Sequence, residues 1–158
     1  MNFIGLGKIS IVDDDESIRI ATRALLRSVG YEVETFASAE LFLESDALRE
    51  TDCLVLDVRM PGIDGLELQC QLNEKESRVP IIFVTAHDDR SHRKIAMDAG
   101  AANFFRKPFE ANAFVAAVQT AVWSGRSSEA SSKLEETDAH LAVRSVSSLT
   151  SHRLREES

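Results

Sequence analysis

Cys53-Leu54-Val55-Leu56-Asp57-Val58-Arg59-Met60-Pro61-Gly62 is an apolar run that ends on a carboxylate and passes into a proline-glycine turn. Four successive apolar residues followed by turn chemistry read as a strand buried on both faces. Asp57 then stands where a parallel strand stops, and in open α/β sheets ligands bind just outside the carboxyl ends of the strands. Three further strand ends bring matching chemistry to that edge. They are Asp13-Asp14 after Ile9-Ser10-Ile11-Val12, Thr85 after Ile81-Ile82-Phe83-Val84, and Lys107 after Asn103-Phe104-Phe105-Arg106. An acidic cluster, a lone aspartate, a hydroxyl and an ammonium in that order make a phosphoryl-accepting site.

The rest of the chain supplies the sheet this reading needs. Short apolar runs at 8–12, 31–36, 53–56, 81–84 and 102–105 alternate with helical patterns, as in a parallel sheet covered by helices on both faces. Ile18, Ala21, Leu25 and Val29 keep helical spacing and Gly30 ends that helix. Ser38 is a candidate N-cap for a short helix through Leu41, Phe42 and on to Leu48. Helices are also expected over 66–72, over 92–99 with Gly100 as C-cap, and from Glu110 to about Trp123. Right-handed crossovers on both faces favour a flavodoxin-like (βα)5 doubly wound sheet with strand order 2-1-3-4-5, which sets strands 1 and 3 side by side. Asp13, Asp14 and Asp57 then converge.

Composition bounds the function. The net charge of -8 argues against constitutive nucleic-acid binding, which needs a basic face. After Trp123 stand five basic and six acidic residues, so about -7 of that charge belongs to the part before it. Residues 1–123 are expected as one domain and 124–158 as a polar, partly helical tail, with ten serines and a weak amphipathic stretch from Leu134 to Val146. Cys53 and Cys70 lack ligand-like spacing and are expected as buried thiols in a reducing compartment. With an opening at 1–8 too short for a signal peptide and no apolar run of membrane-spanning length, the chain is expected to be soluble, cytoplasmic and away from membranes.

Carboxylates held close together raise each other's pKa unless a cation neutralises them. Mg²⁺ suits such a site, because it takes a few carboxylates, keeps waters and leaves positions for phosphate oxygens. Asp14 and Asp57 are expected as direct ligands, Asp13 through a water, and the Arg59 backbone carbonyl completes the protein set. Asp15 caps the following helix. Asp57 is the expected nucleophile, forming an acyl phosphate. Lys107, unusual among lysines for following an apolar strand and preceding Pro108, would bind phosphoryl oxygens opposite the metal, and Thr85 would donate its hydroxyl.

Val12-Asp13-Asp14, Asp57 with Met60-Pro61-Gly62, Thr85-Ala86 and Lys107-Pro108-Phe109 together resemble the receiver domain of two-component response regulators over residues 8–123. With Arg59, Thr85-Ala86-His87-Asp88 and Lys107-Pro108-Phe109-Glu110, the chain is similar to the nitrogen-fixation (FixJ-type) regulators. The resemblance implies phosphorylation of Asp57 by a sensor histidine kinase or phosphotransfer protein in a phosphorelay. It also implies self-catalysed phosphotransfer and autodephosphorylation with Mg²⁺, and a cis peptide at Lys107-Pro108. Arg59 and His87 border the phosphoryl site. The family's switch pair falls on Thr85 and Phe104, the ring rotating inward as Thr85 moves toward the phosphoryl group. Lacking a hydroxyl, Phe104 is expected to be governed by packing alone. The output face is the fourth helix, fifth strand and fifth helix of that reading, 92–123, serving phosphorylation-dependent homodimerisation or partner binding.

A signalling switch rather than a metabolic enzyme is the leading reading. The alternative is a Mg²⁺-dependent phosphatase with an aspartyl nucleophile, but its second carboxylate two residues on is replaced here by Arg59. A flavin-binding module would need a Ser/Thr/Gly-rich phosphate cradle, which these loops lack. The stretch 142–156 faintly resembles the entry to a LuxR-type helix-turn-helix, so the chain reads either as a single-domain receiver or as the receiver part of a transcriptional regulator. The tail alone is not expected to bind nucleic acid.

Overall fold

The computed structural model describes residues 5–86 and 90–127. Strands β1 Lys8–Val12, β2 Glu32–Phe36, β3 Cys53–Leu56, β4 Ile81–Thr85 and β5 Asn103–Arg106 form one parallel sheet in the order β2-β1-β3-β4-β5, the flavodoxin-like order expected. The helices are α1 Glu16–Val29, α2 Ala39–Glu44, α3 Ala47–Glu50, α4 Gly65–Glu74 and α5 Arg90–Asp98, and α6 covers 111–127.

Alternation along the strands sorts their side chains into two cores. Ile9, Ile11, Cys53, Val55, Ile82 and Val84 pack with Leu26 of α1 and with Phe114, Val118 and Val122 of α6. Val12, Leu54, Leu56, Phe83 and Phe104 pack with Phe42 of α2, Leu68 and Leu72 of α4, and Ala96 of α5. Each fully buried Leu, Ile or Phe contributes about 1.5–3 kcal/mol of transfer free energy. Both faces are apolar, so the register is fixed by both: Val12 opposes Leu56, and Phe83 opposes Phe104.

Helix ends follow local chemistry. Asp15 caps α1, its Oδ1 accepting from the Ser17 amide at 2.9 Å. At the other end Gly30, with φ 117, gives its amide to Arg27 while Tyr31 bonds back to Leu26, closing the helix in a Schellman pair. Gly100 and Ala101 close α5 with the same pattern onto Met97 and Ala96. After α4 the left-handed position falls on Glu76, at φ 58.

Several expectations need correction. The single helix from Ser38 to Leu48 is two, because Ser45 is extended and its hydroxyl takes over the local bonding. It donates to the Phe42 carbonyl at 2.6 Å and accepts the Ala47 amide at 3.2 Å. Ala21 faces solvent, and the buried line of α1 runs through Thr22 and Leu26. β2 begins at Glu32, since Tyr31 is used in closing α1. β5 is Asn103–Arg106, one residue later than expected, and α6 continues past Trp123 through 127. Cys53 is buried, and that burial pushes its thiol up to about 12. Cys70 is exposed, because α4 turns Leu68, Gln69 and Leu72 inward and leaves Cys70 beside Glu74. The contacts close the first compact unit at Gly125, and the tail expected from Ser124 lies outside the described residues beyond 127.

Candidate functional site

The carboxyl ends of β1, β3, β4 and β5 gather the chemistry-bearing residues. Asp57 directly follows β3, and its amide donates to the Val12 carbonyl at 3.0 Å, so the residues after β1 and β3 are held side by side. Asp13, Asp14 and Asp57 each bring a carboxylate oxygen within 4.8 Å of the others, Asp13 and Asp57 buried and Asp14 exposed. Lys107 enters from beyond β5, its Nζ 2.7 Å from Asp13 Oδ2 and 4.0 Å from Asp57 Oδ2. The backbone reinforces that approach, since the Lys107 amide donates to the Thr85 carbonyl at 2.7 Å. The Lys107-Pro108 peptide is cis.

Charge is unevenly neutralised here. Asp13 is fully engaged, with Oδ1 accepting from the Asp15 amide at 2.9 Å and Oδ2 taking the ammonium. Asp57 receives less help. Its carboxyl is raised to about 7, first by burial and then by the Asp13 charge, which Lys107 only partly opposes. A compact group of hard anionic oxygens short of positive charge suits a small divalent cation such as Mg²⁺.

Three residues that sequence reasoning missed shape the pocket. Gly65 opens α4, its amide donating to the Val58 carbonyl at 2.8 Å, and a Cβ there would collide with the Asp57 carbonyl oxygen. A glycine directly after the helix N-cap Asp64 was the available signal. Glu40 of α2 reaches across to the loop after β3, where its Oε1 accepts the Ile63 amide at 2.7 Å, and that bond holds its carboxyl below the ordinary range. Arg19 of α1 donates to the Asp13 carbonyl at 2.7 Å, fixing the acidic turn from behind. No local pattern marks Glu40 or Arg19, because their partners lie on other elements.

The remaining expected site residues are placed as follows. Thr85 ends β4 and is buried. Arg59 is exposed two residues beyond Asp57. Phe104 is buried on β5 with its ring 5.9 Å from that of Phe83. The Arg93 guanidinium of α5 stands 5.8 Å from the Phe104 centroid, so packing alone does not govern this ring as expected, because a cation on the next helix also attracts it. Of the three apolar residues on the expected output face, Phe114 is core, Phe105 is half-buried against it and Ile95 is exposed. His87 and Asp88 lie outside the described residues.

The sequence model of the response regulator receiver domain matches residues 9–119. The response regulator protein TodT of Pseudomonas putida is 42% identical over 114 residues, covering 72% of this chain and 50% of that protein. The transcriptional regulatory protein FixJ of Azorhizobium caulinodans is 40% identical over 121 residues, covering 77% and 56% respectively. Among solved structures, that of the response regulator StyR superposes with a TM-score of 0.76 at 42% identity, covering 82% of this chain and 66% of StyR. The chain thus spans about half the length of the curated relatives it matches. Among the described residues no helix is long and apolar enough to cross a membrane.

Proposed function

Because the chain belongs to the response regulator receiver domain family of two-component signalling, we propose that it is a phosphorylation switch whose acceptor is Asp57. The observation that carries this is the single cluster at the sheet edge: three convergent carboxylates with the Lys107 ammonium beside two of them. A carboxylate oxygen of Asp57 attacks the phosphorus of a phosphohistidine on a sensor kinase or phosphotransfer protein. The P–N bond breaks, its electron pair stays on the imidazole nitrogen, and an aspartyl acyl phosphate forms. Attack of water on that phosphorus later returns the carboxylate and inorganic phosphate.

Positioning and charge do most of this work, since phosphoryl transfer asks little covalent help of the protein. Asp13, Asp14 and Asp57, with the Arg59 carbonyl, are the residues that would hold Mg²⁺, which when bound supplies positive charge for the phosphoryl oxygens. Lys107 supplies a second cation and favours the ionised Asp57 that attack requires. Thr85, at the end of the adjacent strand, gives its hydroxyl to a phosphoryl oxygen and couples the site to Phe104. The output surface lies within residues 92–123, on α5, β5 and α6, acting in dimerisation or partner binding. The activity belongs to a cytoplasmic signalling protein, here the receiver part of a transcriptional regulator or a receiver acting alone.

Incubating the chain with Mg²⁺ and acetyl phosphate is expected to add one hydroxylamine-labile phosphoryl group by intact mass, absent in Asp57→Asn. Undiminished labelling of Asp57→Asn would refute the assignment.

A further inference from the structure

Among the contacts that hold α5 against the rest of the protein, two kinds stand at opposite ends of the helix. Near its C-terminal end, two amides one turn apart on α4 reach backbone carbonyls. Gln69 Nε2 donates to Ala96 at 2.9 Å, and Asn73 Nδ2 donates to Ala99 at 3.0 Å. Gln69 and Ala96 are buried, so pulling this end away would strand polar groups out of reach of water. Toward its N-terminus, Arg93 lays an exposed guanidinium over the ring of buried Phe104, 5.8 Å from the centroid. A cation within about 6 Å of an aromatic face is attracted by the ring quadrupole, weakly at an exposed site. The neighbouring Lys94 is paired with Asp98 at 3.0 Å and does not duplicate this contact.

We propose that Arg93 is a positioning residue of the switch: its guanidinium favours the inward Phe104 ring and draws the N-terminal half of α5 onto β5. This rests on the reading of Phe104 as the ring that answers Asp57. Gln69 and Asn73 then form the pivot, and the Arg93–Phe104 contact is the part that releases. A ring leaving the inward position loses the cation, and a helix whose N-terminal half swings away loses the ring. The two motions therefore favour each other, as a two-state element requires. α5 reports the state of Phe104 through a contact that no sheet hydrogen bond enforces.

The test uses the full chain labelled with fluorophenylalanine, the Phe104 ¹⁹F resonance being assigned by its loss in Phe104→Leu. Arg93→Gln keeps an unbranched polar side chain of similar helix propensity but removes the guanidinium and its charge. It is expected to shift the inward-to-outward ratio of Phe104 outward by about two- to fivefold, the range an exposed cation–π contact supports. Arg93→Lys should recover most of the shift, and Lys94→Gln should cause none. An unchanged ratio in Arg93→Gln, or an equal shift in Lys94→Gln, overturns the proposal. Adding Mg²⁺ and acetyl phosphate separates the two readings. A resonance that answers Arg93→Gln but ignores the phosphodonor sinks the switch reading and leaves Arg93 a structural contact. One that answers the phosphodonor but ignores Arg93→Gln sinks only the role of Arg93.

Discussion

Replacing Asp57 by asparagine is expected to stabilise the metal-free protein, and to do so only above acid pH. Asp57 is buried beside Asp13, and its carboxyl is raised from 3.8 to about 7, first by desolvation and then by its neighbour's charge. The folded state thus holds a proton that the unfolded chain gives up near its ordinary pKa. Stability falls as pH rises through the window from about 4 to 7, and the full penalty is present above it. A rise of about 3 units corresponds to a ceiling of roughly 4 kcal/mol at pH 8. The charge is shared with exposed Asp14, which water screens, so the gain for Asp57→Asn is expected at about 1–3 kcal/mol. That gain should shrink by about half at pH 5.5 and vanish below pH 4. Urea unfolding followed by far-UV circular dichroism in EDTA, from pH 4 to 8.5, measures it directly. Exposed Trp123 would be a poor reporter. Mg²⁺ should then stabilise wild type more than the variant, because binding adds stability in proportion to affinity for the folded state. A variant less stable than wild type at pH 8, or a difference that does not change with pH, would refute the reasoning.

Two further substitutions test the scaffold. Gly65→Ala drives a methyl into the Asp57 carbonyl and is expected to cost about 1–3 kcal/mol and to slow labelling by acetyl phosphate; unchanged stability and rate would show that α4 does not constrain the Asp57 turn. Glu76→Gly removes a non-glycine residue from φ 58 and is expected to raise stability by about 0.5–1 kcal/mol, or about 2–4 °C in Tm, by calorimetry, with phosphorylation unaffected. A lower Tm would mean that the Glu76 side chain makes good its own strain.

The residues that sequence patterning could reach are those whose role is written in their own neighbourhood. Asp57 stands at the end of an apolar run, Lys107 precedes a proline, and Ser38 and Asp15 sit where helix caps belong, each beside the feature that explains it. The missed residues act across the fold. Glu40 is an ordinary glutamate in a short helix until the loop after β3 folds over α2 and presents the Ile63 amide. Arg19 matters only because α1 returns past the turn after β1. Gln69 looks like a surface amide in its helix, yet it is buried because α5 packs against α4 and offers a carbonyl. The split after Glu44 was missed for another reason: apolar spacing does not register a serine hydroxyl that competes for the backbone.

The core and the site are coupled through register. Parallel strands buried on both faces present one set of side chains to α1 and α6 and the other to the remaining helices. A slip of one residue between β1 and β3 would send Leu54 and Leu56 to the wrong core and move Asp57 to the other side of the edge. The buried apolar residues therefore hold Asp57 beside Asp13, with the Asp57 amide on the Val12 carbonyl, although the carboxylates repel each other. The repulsion is the useful part: it leaves the site short of positive charge, so that a cation and a phosphoryl group have something to relieve. Had the sequence neutralised Asp57 as fully as it neutralises Asp13, the fold would be more stable and the carboxylate less available.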